Sequence, residues 1–324
     1  MRRTLVLLPI ASAGLSLALG AAAGPPNDLQ PGRQPANPHA AGAPSKAASH
    51  RPSAGQAPKK PRKAGKHRAR TADPAKPHAT IAAAVRNWGD YDVQEGTLGQ
   101  AMPGAVCPQG MANIDDRFCI DRWEGSLVEV LPDGREVPWP PFGPVDSSSH
   151  VRAVSVSSVY PQAYISGAQA ARACAASGKR LCAPVEWRKA CMGPDNTTFG
   201  YGATRVTGRC NDEGQSPMLR LYPQVAQSWT LVGMTEMNDP RLNQLDATLA
   251  PTGSHEGCTN DYGVFDMVGN LHEWTNDPNG TFQGGYYLDT HKNGDGCAYR
   301  TVAHEFTYHD YSTGFRCCAS PVAP

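Results

Sequence analysis

The sequence of 324 residues lacks the short motifs that mark several large classes of enzyme. No two of its ten cysteines have CxxC spacing and none belongs to a Cys/His ligand pattern, so zinc binding has no support. It has no GxSxG nucleophile motif and no phosphate-binding glycine loop. After residue 19, no apolar stretch approaches the ~20 residues that a membrane-spanning helix needs. We therefore expect no membrane span.

The first 23 residues are typical of a signal peptide. Arg2 and Arg3 provide the positive start, an apolar run follows at residues 4–19, and residues 21–23 are three alanines suited to cleavage. The alternative is an uncleaved amphipathic anchor, which is less favoured because the run is apolar on all sides. The sequence therefore predicts a secreted or periplasmic protein, in an oxidising compartment where cysteines form disulfides.

Residues 24–85 have no Phe, Trp or Tyr, and they carry 11 Lys or Arg, 2 acidic residues and 11 Pro. Because such a segment has almost nothing apolar to bury, it cannot offset the entropy of ordering a chain. We interpret it as a disordered basic linker. It is either a plain spacer or a tail that binds a polyanion of the cell envelope, with nucleic acid the less favoured partner.

Residues 86–324 contain every cysteine and aromatic residue, and we predict that they form one folded domain with a net charge of −10. Short strand patterns occur at residues 117–120 and 126–131. Ser166 is suited to cap a helix that ends near residue 177, and a second helix fits residues 184–191, with a proline in its first turn. With long Gly/Asn/Asp/Pro-rich connections, these patterns predict an α+β fold with much irregular structure.

The even number of cysteines predicts up to five disulfides in an exported domain. A domain with so little regular structure needs covalent constraint, and each bridge that closes a loop of tens of residues adds about 2–4 kcal/mol in the usual chain-entropy model. We therefore predict structural disulfides rather than metal thiolates. The residues alone leave the pairing open.

Four stretches carry a family resemblance. They are CPQGM with FCIDRWEG (residues 107–125), GKRLCAPVEWRKAC (178–191), YGVFDMVGNLHEWTND (262–277) and STGFRCC (312–318). In this order they resemble the sulfatase-modifying-factor family, which contains the formylglycine-generating enzyme. The resemblance covers about residues 105–320. It implies a variant of the C-type-lectin-like fold, rich in disulfides and poor in regular secondary structure.

The segment DMVGNLHE offers hard oxygen ligands in a tight turn, and calcium prefers such ligands. In the family this turn binds a structural calcium ion, so the resemblance implies Ca²⁺ here. Its expected ligands are Asp266, Gly269, Leu271 and Glu273. The alternative makes Glu273 an ion-pair partner and Asn270 a left-handed turn residue. Asn211, in RCNDEG, resembles a residue of the family's second calcium site.

The resemblance also bears on the disulfides. It implies a bond between Cys174 and Cys317. Cys191 matches a half-cystine of the family, but its usual partner position falls on Val302. We therefore expect Cys191 to pair elsewhere, for example with Cys210 or Cys182.

The family enzyme oxidises a substrate cysteine to formylglycine with dioxygen and a copper(I) ion held by two thiolates, soft ligands that suit this metal. Both cysteines follow a GG motif, here Gly284-Gly285. Alignment of this motif puts Asp289 at the first cysteine position, and counting back from GFRC puts Cys297 at the second. One thiolate is therefore missing, and Cys297 is the remaining candidate catalytic residue.

Three functions are compatible with these observations. The leading interpretation is an exported, non-catalytic binding or structural module that keeps calcium and disulfides and recognises a protein or glycan ligand. The first alternative is an active formylglycine-generating oxidase, in which Cys297 and another thiol such as Cys318 hold copper. The second is an iron-dependent oxidase or oxygenase of the same fold, supported locally by His304, Glu305, His309 and Asp310. His272, where the family commonly has an aromatic residue, is expected to be a packing residue.

Overall fold

The structure is a computed structural model, and it describes residues 94–302 and 304–323. The predicted signal peptide, 1–23, and the predicted basic linker, 24–85, lie outside these residues. The strands are β1 (Met111–Ile114), β2 (Phe118–Asp121), β3 (Gly125–Val130), β4 (Glu136–Pro138), β5 (Val151–Ser155), β6 (Arg180–Leu181), β7 (His272–Trp274), β8 (Phe282–Gln283), β9 (Arg300–Thr301), β10 (Thr313–Phe315) and β11 (Cys317–Ala319). The α-helices are α1 (Gly167–Ala176), α2 (Pro184–Met192), α3 (Pro217–Leu221) and α4 (Met234–Met237).

Four 3₁₀ helices complete the regular elements of this part of the chain, at Pro223–Ala226, Trp229–Leu231, Leu242–Gln244 and Gly296–Ala298. The strands are only two to six residues long, and much of the chain between them is irregular. The predicted α+β class with little regular secondary structure is confirmed. Within the described ranges, none of the helices has the length and apolarity needed to cross a bilayer.

Both predicted helices are present, with the expected local chemistry at their starts. Ser166 caps α1: its hydroxyl accepts from the backbone N–H of Gln169, whose side chain accepts from the backbone N–H of Ser166 in return. Pro184 begins α2, where its missing N–H costs no hydrogen bond. Glu186, further along the first turn, accepts from the backbone N–H of Ala183. These interactions involve near neighbours in the chain, which is why the sequence predicts both helices.

The strands form three small sheets, in the orders β1-β2-β11-β6, β10-β7-β8-β9 and β4-β3-β5. β10 and β7 are parallel, and the other pairs are antiparallel. The two predicted strands correspond to β2 and β3, each displaced by one residue. β11, near the end of the chain, lies between β2 and β6. The final strands therefore hold the first and middle parts of the domain together.

Two fully buried tryptophans mark the two largest apolar clusters. Trp187 of α2 packs with Phe118 and Ile120 of β2, and Trp274 of β7 packs with Phe315 of β10. Side chains of this size each bury about 150–250 Å². Trp187 belongs to the motif stretch 178–191 and Trp274 to the stretch 262–277. These two motifs therefore contribute to the core of the domain.

All ten cysteines lie in the described part of the chain and form five disulfides, so the prediction of structural disulfides is confirmed. The pairs are Cys107–Cys119, Cys174–Cys317, Cys182–Cys318, Cys191–Cys297 and Cys210–Cys258. They include the Cys174–Cys317 bond that the resemblance implies. The expectation that Cys191 pairs with Cys210 or Cys182 is wrong. The 3₁₀ helix Gly296–Ala298 brings Cys297 to Cys191 of α2 instead. The Cys297 N–H also donates to the carbonyl of Thr198, in the loop after α2, at 2.8 Å.

The neighbouring cysteines of β11 form two separate bridges because successive side chains of a strand point to opposite faces. Cys317 is bonded to Cys174 of α1, and Cys318 is bonded to Cys182, between β6 and α2. One short strand is thus tied covalently to elements on both of its faces.

Arg316, between β10 and β11, is fully buried and joins four segments through its guanidinium group. Its Nε and Nη2 each donate to a different carboxylate oxygen of Glu273 at 2.6 Å. Its Nη1 donates to the carbonyl of Asp121 at 3.0 Å, and its Nη2 also donates to the carbonyl of Phe265 at 2.8 Å. Every guanidinium nitrogen therefore has a partner, as a buried charge requires.

We predict that Arg316→Met lowers the free energy of unfolding by about 3–5 kcal/mol, because it leaves the Glu273 carboxylate buried without its cation. Urea denaturation followed by tryptophan fluorescence measures this change. Arg135→Met is the matched control: Arg135 pairs with Asp133 on the surface, where both side chains are more than half exposed, and stability should not change measurably. Equal effects of the two substitutions would contradict the prediction.

Candidate functional site

The predicted calcium turn lies in the interior of the domain and has an unusual backbone. Asp266 and Asn270 both have φ of 57°, and Gly269 has φ of 84°. A Cβ atom at Gly269 would lie 2.3 Å from the carbonyl oxygen of Asn211, so that position requires glycine. The left-handed conformation expected of Asn270 is confirmed. Asn211 itself donates through Nδ2 to the side-chain oxygen of Asn270 at 2.8 Å.

Three buried carboxylates, those of Glu124, Asp266 and Glu273, interact electrostatically with one another and with Arg316. Asp266 accepts from the backbone N–H of Gly253 at 2.6 Å, and burial raises the pKa of Asp266 to about 6. Burial, reinforced by the negative charges of Asp266 and Glu273, raises the pKa of Glu124 well above its usual range. This interior therefore holds more carboxylates than Arg316 alone can pair with.

Glu273 does not fit the predicted calcium ligand set. Both of its oxygens accept from Arg316, and Oε2 also accepts from the indole N–H of Trp187 at 2.7 Å. The guanidinium group takes the place in front of this carboxylate that a metal ion would need. Across residues 94–302 and 304–323, no group of three or more His, Cys, Asp or Glu side chains is arranged to hold a metal ion. Calcium binding at this turn therefore stays a prediction, and the contacts of Glu273 do not support it.

The prediction of Cys297 as a catalytic thiol needs correction, because its sulfur is bonded to Cys191. Cys318, the alternative second copper ligand, is bonded to Cys182. Since none of the ten cysteines, all within the described ranges, is free, the chain offers no thiolate pair for copper(I). Cys297 occupies the partner position of Cys191 that the sequence alignment assigned to Val302.

Asp289, expected at the first copper-cysteine position, is buried and satisfied within its own loop. Its Oδ1 accepts from the backbone N–H groups of His291 and Lys292, both at 3.1 Å. Its Oδ2 accepts from the hydroxyl of Tyr299 at 3.2 Å. The carboxylate therefore closes the loop and has no geometry suited to a soft metal.

His272 is buried beside this loop and packs as an aromatic residue, as predicted. Its ring centre lies 4.7 Å from those of Phe282 and Tyr286 and 5.5 Å from that of Tyr299. Its Nδ1 has no hydrogen-bond partner in the described part of the structure. The pKa of His272 is lowered to about 3, mainly because the side chain is buried and to a lesser extent because His304 repels its charged form.

The four side chains proposed for iron do not converge on one point. His304 stacks on Tyr308 with ring centres 4.0 Å apart, and His309 hydrogen-bonds Asn238 at 2.7 Å. Asp310 accepts from the backbone N–H and hydroxyl of Ser312 and from the hydroxyl of Tyr308. Glu305 is exposed. The residues of this segment thus serve its own packing, and the described structure gives the iron hypothesis no ligand set.

A surface feature that the sequence did not predict consists of two clefts that meet at Arg209. The first, of about 240 Å³, is lined by parts of the segments 194–201 and 259–261. The second, of about 570 Å³, lies between residues 206–209 and 254–257. Arg209 lines both, and we call the pair the Arg209 groove.

The two walls of the Arg209 groove are fastened directly behind it. Arg209 and Gly257 precede Cys210 and Cys258, which form a disulfide, and Arg209 Nε donates to the carbonyl of Gly257 at 2.8 Å. The Arg209 guanidinium carbon lies 4.9 Å from the ring centre of Tyr201, within cation–π distance. Covalent, hydrogen-bond and cation–π contacts therefore fix the orientation of Arg209.

Several polar groups of the groove have no hydrogen-bond partner among the described residues. Within the described residues, the terminal nitrogens of Arg209 donate no hydrogen bond, and the exposed carboxylates of Asp195 and Asp261 have no partner. His255 and Glu256 line the second cleft. The only sequence signal near this site is the stretch RCNDEG, whose family resemblance concerns Asn211 and not the arginine.

We predict that His272→Phe makes the protein less sensitive to acid. The pKa of His272 is about 3 in the folded protein, against an ordinary value of 6.5, so the unfolded chain binds the extra proton between these values. This contribution to stability is present above pH 6.5 and is lost as the pH falls, by about 2 kcal/mol between pH 7 and pH 5. Urea denaturation at both pH values should show a smaller decrease for His272→Phe than for the wild type. His291→Gln, at an exposed histidine, should retain the wild-type decrease.

We predict that millimolar calcium and a chelator leave the melting temperature unchanged, because both oxygens of Glu273 already accept hydrogen bonds from Arg316. Differential scanning calorimetry in the two solutions provides the test. An ion at 100 times its dissociation constant adds about 2.7 kcal/mol, which moves Tm by several degrees. A calcium-dependent rise of that size would restore the predicted calcium site.

One comparison with known proteins agrees with the motifs. A family model described as "Sulfatase-modifying factor enzyme 1-like domain" matches residues 133–321. The search of curated proteins gave no match. Among solved structures, the Major Tropism Determinant I1 variant is similar at 15% identity with a TM-score of 0.39, and the U1 variant at 16% with 0.38. Each of these two alignments covers 69% of this chain and 55% of the other, so this chain spans about half the length of those proteins.

The family match covers more than half of the sequence and includes three of the four motif stretches. It confirms the resemblance predicted from those motifs, and the α+β, disulfide-rich architecture is the one that the resemblance implies. This chain belongs to the family of sulfatase-modifying factor enzyme 1-like domains.

Proposed function

We propose that this domain is an exported binding module that holds a hydroxyl-rich ligand, such as a glycan, in the Arg209 groove. The observation that carries the proposal is the convergence of two clefts on one arginine whose terminal nitrogens have no hydrogen-bond partner in the described structure. Formylglycine formation is not part of the proposal, because all ten cysteines are in disulfides.

The polar groups of the first cleft match the hydrogen-bonding needs of a sugar. Asp195 and Asp261 supply carboxylate oxygens, which accept hydrogen bonds from hydroxyl groups, and Arg209 supplies donors in the same cleft. The hydroxyls of Thr197 and Thr259 already donate to the carbonyls of Met192 and Val264, so they add acceptors to the cleft. A protein ligand would need a broader apolar centre than these small clefts provide. The groove therefore favours a glycan.

The scaffold behind the groove supports ligand binding without rearrangement. Cys210–Cys258 joins its two walls, and Cys191–Cys297 fastens the helix that leads into residues 194–201. Loops held in this way lose little conformational entropy when a ligand binds. The same disulfides support export, since they persist in oxidising compartments and not in the cytosol.

We predict that Arg209→Ala and Asp261→Asn each weaken glycan binding at least tenfold, equivalent to about 1.4 kcal/mol. A screen of the full chain against neutral oligosaccharides identifies the probe, and isothermal titration calorimetry measures its affinity. Arg220→Ala is the matched control, because it removes the same charge from α3, which does not line the groove. Unchanged affinity in both groove variants, or no binding to any oligosaccharide, would refute this function.

A further inference from the structure

A third cleft, of about 380 Å³, lies on a different part of the domain, between the loop of residues 145–150 and helix α1. The helix contributes Gln169, Arg172, Ala173 and Ala176. These positions are spaced by three or four residues, so they form one face of the helix. We call this the Arg172 cleft, and none of its lining residues belongs to the Arg209 groove.

The cleft concentrates basic groups on a domain whose net charge is −10. His150, Arg152 and Arg172 line it, and Asp146 is its only acidic lining residue within the described ranges. Arg152 forms a two-nitrogen ion pair with Glu136, and Asp146 accepts from the backbone N–H and the hydroxyl of Ser148. The Arg152 charge is thus balanced by Glu136, whereas Ser148 engages only Oδ1 of Asp146.

Arg172 differs from these neighbours. Within residues 94–302 and 304–323 its guanidinium group has no ion-pair or hydrogen-bond partner, although it lines a recess beside the hydroxyl groups of Ser147 and Ser149. Valines and alanines, including Val145 and Ala173, form the apolar part of the wall. Beside one carboxylate, that of Asp146, the recess therefore offers an unpaired guanidinium group, neutral hydroxyl donors and apolar surface, which together suit an organic anion held by Arg172.

We propose that the Arg172 cleft binds a small organic carboxylate, such as a sugar acid. A carboxylate accepts two parallel hydrogen bonds from a guanidinium group, and a single negative charge is balanced by the single free arginine. A phosphate with two negative charges would remain undercompensated on this acidic domain. The cleft is thus a second binding site, separate from the proposed function of the Arg209 groove.

Isothermal titration calorimetry of the full chain with glucuronate tests the proposal, with glucose and inorganic phosphate as comparison ligands. We expect glucuronate to bind more tightly than both, and Arg172→Gln to weaken it at least tenfold. Arg220→Ala, which removes the same charge from another exposed helix position, should leave the affinity unchanged. Glucuronate binding that is absent, matched by glucose or phosphate, or insensitive to Arg172→Gln would overturn the proposal.

Arg172→Gln also separates the two sites. It is expected to retain the wild-type affinity for a neutral oligosaccharide in the Arg209 groove, whereas Arg209→Ala should retain glucuronate binding. Loss of glucuronate binding in Arg209→Ala alone would place the carboxylate in the groove and would refute a site at Arg172.

Discussion

The buried ion pair between Arg316 and Glu273 is the constraint around which the domain is arranged. Glu273 lies on β7, and Arg316 lies between the last two strands of the described chain. The guanidinium group also bonds the main chain at Asp121 and Phe265, so one side chain connects segments that are about 50 to 200 residues apart. A buried charge is tolerated only when its hydrogen bonds are satisfied, which restricts all of these segments at once. The same contact engages the carboxylate that the family resemblance assigns to calcium.

Disulfides provide the second constraint, and they alter the chemistry that the fold supports. A family member that oxidises cysteine requires two free thiolates for copper, whereas here Cys297 is joined to Cys191 and an aspartate occupies the other expected position. Beside Asp289, the rings of Tyr286 and Tyr299 pack against the buried ring of His272. Asp289 and Cys297, the two positions at which the alignment places the copper ligands, are both buried.

The two proposed binding sites illustrate how irregular segments gain function when a rigid scaffold positions them. The Arg209 groove depends on loops joined by Cys210–Cys258, and the Arg172 cleft depends on a loop that faces α1. Both present an arginine without an acidic partner in the described structure, in a domain with an excess of acidic residues. In the two proposals these arginines act differently: Arg209 donates hydrogen bonds to hydroxyl groups, and Arg172 pairs with a carboxylate.

The amino-acid sequence by itself determined the family, the two main helices, the positions of β2 and β3 and the disulfide-rich character. These features depend on caps, prolines, turns and motif cores that act within a few residues or along a motif. It also identified the left-handed Asn270. Tertiary structure alone decided that Cys191 pairs with Cys297, that Arg316 neutralises Glu273, and that Arg209 and Arg172 line clefts. Each of these contacts joins segments that are distant in the chain. The loops between them bring these segments together, and no local sequence pattern encodes how the loops fold.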